Sequence, residues 1–448
     1  MTTMPPFPDD FAWGVATSAF QIEGAVDTDG RGPSIWDGFS HTPGRIRGDD
    51  VADTACDHYH RYREDVDLLR RLGVDVYRFS LSWSRVVPDG LGHVNGAGLD
   101  FYDRLVDALL DAGITPMPTL FHWDLPQELE DHGGWLRRDT AEHFARYTGV
   151  VAERLGDRVR DWITLNEPFE HMALGHALGV HAPGHTMGLA ALPVAHHQLL
   201  AHGLATRVLR EHSAARVLLT NSYSPAHAAS DDPADHAAAA AYHALHHGLF
   251  TDPVLRGRYP DLSAFGVDVT ALDFVADDDL AIISTPLDGL GINYYNPTRL
   301  AAPPPGEALP FTMVDFPGVA VTDFGWPVIP SGLTQLLTGL AAEYGEALPP
   351  LWITENGCSY RVEPGTDGRF HDQARIDYLD AHIRAVHAAI TLGADVRGYL
   401  TWTLMDNYEW AEGYHQRFGL VHVDPETRDR HPKSSFDWYA GLISGQRG

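Results

Sequence analysis

Read for hydrophobic and polar positions alone, the chain alternates between two kinds of segment. Short, dense apolar runs occupy residues 11–18, 74–81, 115–121, 161–165, 215–220, 287–295, 351–354 and 396–404, and each ends in polar or aromatic residues. Runs of this length and content read as strands. Between most of them apolar residues recur at spacings of three and four. Residues 57–72 set Tyr59, Tyr62, Val66, Leu69 and Leu72 on one face, with Gly73 as a stop, and residues 99–110 do the same with Leu99, Tyr102, Leu105, Val106 and Leu109. Residues 141–155 and 373–392 repeat the pattern and are closed by Gly156 and Gly393, while the alanine-rich residues 234–249 are a helix by propensity. Strands that alternate with helices predict parallel pairing through right-handed crossovers. Eight such units predict an α/β fold, a single (β/α)8 TIM barrel whose functional residues sit at the C-terminal ends of the strands.

No Pro/Ser/Gly-rich linker interrupts the alternation, so residues 1–448 are expected to form one domain, within the size range of an elaborated barrel. The most loop-like parts, residues 27–53, 301–324 and 361–370, follow the first, sixth and seventh strands. They are expected to wall a pocket at the C-terminal face.

Bulk composition narrows what such a pocket takes. A hydrophobic fraction of 44% and a charged fraction of 21% supply a large core. The formal net charge of −29 repels nucleic acid and anionic membranes and points to a small-molecule partner. Lys433 is the only lysine and stands in a stretch with no other sign of a site, which sets aside Schiff-base and phosphate-lysine chemistry. Cys56 and Cys358 are too few for a disulfide framework, the first ten residues have neither a basic start nor an apolar core, and no apolar run approaches the roughly 20 residues of a membrane helix. The expected location is the cytoplasm, with no cofactor and with a homo-oligomer left open.

Two strand ends deliver an acid. Leu351-Trp352-Ile353-Thr354 leads to Glu355 just before Asn356-Gly357, and Trp162-Ile163-Thr164-Leu165 leads to Asn166-Glu167-Pro168. Pro168 biases Glu167 toward extended geometry, so it is expected at a strand end instead of at a helix start. Two fixed carboxylates suggest glycoside hydrolysis, provided the fold brings them together. Other strand ends supply Arg78, His122 with Trp123, Asn293 with Tyr295, and Trp402, all suited to holding a sugar or orienting a carboxylate.

Longer motifs carry a resemblance. They are Phe11-Ala12-Trp13-Gly14-Val15-Ala16-Thr17-Ser18-Ala19-Phe20-Gln21-Ile22-Glu23-Gly24, Tyr77-Arg78-Phe79-Ser80, Thr164-Leu165-Asn166-Glu167-Pro168, Ile353-Thr354-Glu355-Asn356-Gly357, Trp402 with Asp406-Asn407-Tyr408-Glu409-Trp410, and Arg417-Phe418-Gly419. Over practically its full length the chain resembles glycoside hydrolase family 1, the β-glucosidase family. The resemblance implies a retaining β-glycosidase acting on small β-glucosides, β-galactosides or β-fucosides. It casts Glu355 as nucleophile and Glu167 as acid/base, with Arg78 and Tyr295 on the nucleophile and the two carboxyl groups about 5–5.5 Å apart. Gln21, His122, Asn166, Glu409 and the Trp410 indole nitrogen would bind the sugar hydroxyls, Asn166 on the 2-hydroxyl, over Trp402 as platform. Trp123, Asn293 and Phe418 complete the set. Glu409 disfavours a 6-phosphate. Trp326, in Gly325-Trp326-Pro327, would flank the leaving group, although Pro327, Ile329 and Ser331 depart from the family's usual residues. A cis Trp402-Thr403 bond is also implied.

Two other readings are weighed against this one. A catalytically silent sugar-binding protein would be marked by loss of either glutamate, and neither is lost. The 26 histidines, among them His196-His197, His243, His246-His247 and the pair His181 with His185, include metal-like spacings. No His-Glu-x-x-His occurs, the chemistry requires no metal, and most are expected on helix surfaces or loops. Cys358 is expected to be a packed loop residue.

Overall fold

The computed structural model describes residues 4–447. Eight strands close into a parallel barrel: Ala12–Ala16, Val76–Ser80, Thr115–Phe121, Asp161–Asn166, Arg216–Ser222, Gly289–Asn293, Leu351–Asn356 and Val396–Trp402. All eight lie on the runs that the apolar pattern marks. The last strand closes on the first in continuous register from Ala12 opposite Gly398 to Ala16 opposite Trp402. Parallel strands covered by helices have both faces buried, which is why they read as dense apolar runs without alternation.

The barrel floor is filled by Val76, Met117, Ile163, Leu218 and Leu400, with Ala12 and Trp352 against them. Outside the barrel, the stripe predicted for residues 57–72 is the inner face of helix His58–Leu72, ended by Gly73 in the left-handed region (φ 72°). Helices Gly96–Asp111, Asp139–Leu155 and Gln373–Thr391 match the other three stripes. The alanine-rich segment is not one α-helix. Pro233–His243 passes into a π-helical turn, Ala244–Gly248, and then into Leu249–Arg256. The extra residue in the turn brings His246 to the Ser222 hydroxyl (3.0 Å) and lets Nε2 of His247 accept from the Ser224 amide (3.1 Å).

At the opposite end from the floor, Ala16, Trp402 and Phe418 pack with Tyr295, Phe324 and Trp326. Gly357 passes so close to Trp402 that a Cβ there would lie 1.8 Å from the Trp402 carbonyl oxygen, so only glycine permits the crossing of the seventh and eighth strand ends. The Trp402–Thr403 peptide is cis, as the family resemblance implies. No helix among the described residues is long and apolar enough to cross a membrane.

Candidate active site

A cavity of about 500 Å³ opens at the C-terminal mouth of the barrel. Its walls include Glu167 and Glu355, together with the expected residues His122, Trp123, Asn293, Tyr295, Trp326, Trp402, Glu409, Trp410 and Phe418. Arg78, Gln21 and Asn166, the other three, stand immediately behind that wall, all buried. Residues from the ends of all eight strands are thus gathered around one space, which is what closure of a barrel does to side chains remote in sequence.

Glu355 lies at the end of the seventh strand, where the register shifts between Ile353 and Glu355 against the sixth strand and turns its side chain inward. One oxygen accepts from Arg78 at 2.5 Å and the other from the Tyr295 hydroxyl at 2.6 Å. Arg78 is fully buried and donates as well to the Thr354 carbonyl (3.1 Å), Thr119 (3.2 Å) and Asn166 (2.6 Å). Burial raises the Glu355 pKa above the ordinary carboxylate value, and the Arg78 charge and the Tyr295 hydrogen bond oppose that rise without cancelling it. Burial and the neighbouring Glu355 carboxylate lift the Tyr295 pKa well above its ordinary value, so Tyr295 stays an O–H donor.

Glu167 has no such cation. Its Oε1 accepts from the Asn293 amide at 2.9 Å, and burial, followed by the charges of Glu355 and Glu170, raises its pKa well above the ordinary carboxylate range. The Asn293 amide nitrogen is shared between Glu167 and the Asn166 side-chain oxygen (3.0 Å), and its oxygen accepts from Thr354 (2.8 Å). The two carboxyls therefore sit in unlike environments: one is bonded to a guanidinium, the other has no cation and faces like charge.

The backbone at Glu167 differs from the expectation. It is left-handed (φ 45°, ψ 61°), and Glu167 is the N-cap of a short helix, Pro168–Glu170, with proline at the first helical position. Pro168 does keep Glu167 out of the right-handed region, but proline also favours a helix start immediately after it. The left-handed turn reconciles the two while the Glu167 N–H stays bonded to the Thr220 carbonyl (2.8 Å).

Hydrogen bonds also fix the groups expected to bind sugar hydroxyls. Asn166 Oδ1 accepts from Arg78 and from Asn293 (3.0 Å), so its Nδ2 must be the atom facing His122 Nε2 at 3.0 Å. His122 then accepts at Nε2 and carries its proton on Nδ1, a buried atom with no protein partner. Burial and Arg78 hold its pKa well below the usual histidine value, so it stays neutral. Trp123 commits its indole N–H to the Asn166 carbonyl (2.9 Å) and its ring to Trp410, 4.6 Å away. Gln21 is held by Ser18 (2.5 Å) and the Tyr408 carbonyl (2.8 Å) and reaches Glu409 at 3.5 Å. Burial, with Glu355 and Glu412, pushes Glu409 up to about 8, so near neutrality it can donate as well as accept. Among the described residues no lysine or arginine lines the cavity.

Residues 3–447 match Glycosyl hydrolase family 1. The chain belongs to that family. It is 50% identical over 442 residues to thermostable β-glucosidase B of Thermobispora bispora, covering 98% of this chain and 90% of the relative. It is 45% identical to a bifunctional β-D-glucosidase/β-D-fucosidase of Bifidobacterium breve, covering 98% of each. The solved structure of a family 1 β-glucosidase from Thermotoga maritima superposes with a TM-score of 0.94 at 42% identity, covering 99% of each chain.

Against the family 1 frame, several expectations need correction. Of the three loops, residues 301–324 give Met313 and Phe324 to the cavity, but none of residues 27–53 or 361–370 lines it. Residues 27–53 contain a helix, Ile35–Ser40, with a Ser34/Asp37 capping box, and its Trp36 backs Trp410 at 4.6 Å. In residues 361–370, Phe370 stacks on His422 instead (4.4 Å). Pro327, Ile329 and Ser331 also lie off the cavity wall, and Trp326 is positioned by stacking on Phe324 (4.2 Å). His196, His197, His246 and His247 are buried, not on helix surfaces, and each is hydrogen-bonded. Cys56 and Cys358 are buried free thiols, pushed up to about 12 by burial. Lys433 is buried with its Nζ 2.7 Å from Asp406.

The sequence reading also missed part of the wall: Glu170, His181, Ser222, Tyr242, His246 and Glu412. Glu170 was detectable, since a helix starting at Pro168 puts it one turn beyond Glu167.

Proposed function

We propose that this chain is a retaining β-glycosidase of β-glucosidase type that cleaves terminal non-reducing β-D-glucosyl residues, and β-D-galactosyl or β-D-fucosyl residues, from small glycosides. The observation that carries this is the unequal pair: Glu355 held by Arg78 and Tyr295, and Glu167 raised by burial and by Glu355, in one cavity. Ionised Glu355 attacks the anomeric carbon as Glu167 protonates the departing oxygen, and the C–O bond to the aglycone breaks to leave a glycosyl ester on Glu355. Esterification removes the charge that raised Glu167, so the conjugate base can take a proton from water. That water attacks the same carbon, releases Glu355 and returns the sugar with its β configuration.

His122, Asn166, Gln21, Glu409 and Trp410 bind the sugar hydroxyls in this reading, and Trp402 supports the ring. A neutral glycoside fits a cavity whose described lining has no lysine or arginine, and a 6-phosphate meets no such cation there. Two buried thiols support a reducing, cytoplasmic location, and the net charge of −29 disfavours nucleic acid as a partner. Homo-oligomerisation is compatible with the reading and not required by it.

The test is a panel of chromogenic aryl β-glycosides with wild type and Glu355→Ala, followed by proton NMR of the first product anomer. Turnover by wild type, its loss in the variant and an initial β anomer are expected. An α anomer first would end the double-displacement mechanism. No turnover across the panel would leave a sugar-binding protein.

A further inference from the structure

We propose that Glu130, His176 and His185 form a binding site for one divalent transition-metal ion of zinc type. The ion would tie the loop after the third barrel strand to the loop after the fourth. One ligand atom from each residue lies within 4.8 Å of the other two. Glu130 belongs to the short helix Gln127–Asp131, His176 to the π-helical turn His171–Ala177, and His185 to the loop beyond it.

Hydrogen bonding makes this more than proximity. The Nδ1–H of His176 donates to the His171 carbonyl at 3.2 Å, which leaves the lone pair on Nε2. A metal-ligating histidine is usually oriented by such a bond. His176 is fully buried, and its Nε2 has no partner. Glu130 Oε2 is likewise buried without a partner, while Oε1 meets His185 Nε2 at 2.8 Å. The bland reading, a histidine paired with a glutamate, accounts for His185 and Oε1 alone. With Glu130 ionised it leaves two acceptors in one cluster with no donor, to be met either by a cation or by a proton held between them. A cation satisfies both.

Two imidazoles and one carboxylate suit zinc and its first-row neighbours, whereas calcium and magnesium take oxygen ligands. Tetrahedral zinc with bonds of about 2.0–2.1 Å holds its donors about 3.3 Å apart, so the widest pair must close by up to about 1.5 Å. The side chain of His185 is 42% exposed, can supply that movement, and leaves a solvent-facing position for a water as fourth ligand. Neither His176 nor His185 lines the catalytic cavity, so the proposal stands apart from the glycosidase reading. Yet the segment that carries them begins at Glu167, and metal binding would order the stretch following the acid.

The experiment is equilibrium dialysis of the full chain against zinc, with metal quantified in wild type, His185→Ala and Glu130→Gln, alongside thermal unfolding with and without zinc. Cobalt(II) substitution gives a second readout through its ligand-field absorption. Expected are one zinc per wild-type chain, a zinc-dependent rise in Tm absent from both variants, an affinity lower by about 100-fold in each, and no replacement by magnesium or calcium. His185→Ala alters a partly exposed loop residue, so retained secondary structure would show that loss of zinc is loss of a ligand. Equal zinc uptake by wild type and His185→Ala would overturn the proposal by placing the metal on other histidines. Failure of wild type to take up zinc would overturn it outright.

Discussion

At the residue scale the question is what makes two glutamates in one cavity behave differently. Glu167 has no cationic partner, so its role as acid should matter only where the leaving group needs a proton. Glu167→Gln should cost about 10²–10⁴-fold in kcat/KM on an alkyl β-glucoside, and far less for glycosyl-enzyme formation from a dinitrophenyl glucoside, whose phenolate leaves unprotonated. Pre-steady-state kinetics on both substrates checks this, and equal losses would remove Glu167 from the acid role. After burial, Glu355 is the next cause of the raised Glu167 pKa. Glu355→Gln should therefore move the Glu167 titration to lower pH, read by NMR of labelled carboxyl carbons, and the falling limb of the wild-type pH profile belongs to this coupled pair. The identities of both acids were legible in the sequence, because Thr-Leu-Asn-Glu-Pro and Ile-Thr-Glu-Asn-Gly are local. The left-handed backbone at Glu167 was not. It joins a helix start at Pro168 to a bond with the Thr220 carbonyl, which is 53 positions away in the chain and next door in the barrel.

At the element scale, strands proved easier to read than helices. Each barrel strand is an unbroken apolar run because both faces are covered. Helix Leu192–His212, among the longest, left no stripe to find: its buried residues include His196, His197, Gln198 and His202 beside leucines and alanines. Buried polar side chains look like a solvated face in sequence, whether hydrogen-bonded like His196, His197 and His202 or not, like Gln198. His196 is one of these, 2.8 Å from Asp279, whose two oxygens also meet Arg138 at 2.5 Å each and whose Oδ2 accepts from the Ala276 N–H at 2.8 Å. Burial alone would raise Asp279, but Arg138, the Ala276 amide and His196 outweigh it and hold the carboxyl at about 2. A depressed folded pKa stabilises above the unfolded value near 4 and loses that contribution as pH falls toward 2. Wild-type stability, measured by urea unfolding, should therefore drop through this window. Asp279→Asn should show a shallower drop there, and at pH 7 should be weaker than wild type by about 1.5–3 kcal/mol.

At the scale of the whole molecule, one apolar cluster runs from Phe7 to Ile443 and joins the helical shell to the strands. We therefore expect the chain to unfold as one unit: calorimetry should record a single transition, and two separable ones would contradict a one-domain chain. The surface around that core is acidic, and its chemistry has a gap. The sole lysine is not on it, since Lys433 is enclosed and paired with Asp406. Reagents that couple to primary amines, whether fluorescent esters, aldehyde fixatives or activated resins, should thus find no side chain to attack on the folded protein, only its amino end. A preparation attached that way would be tethered at one point and in one orientation.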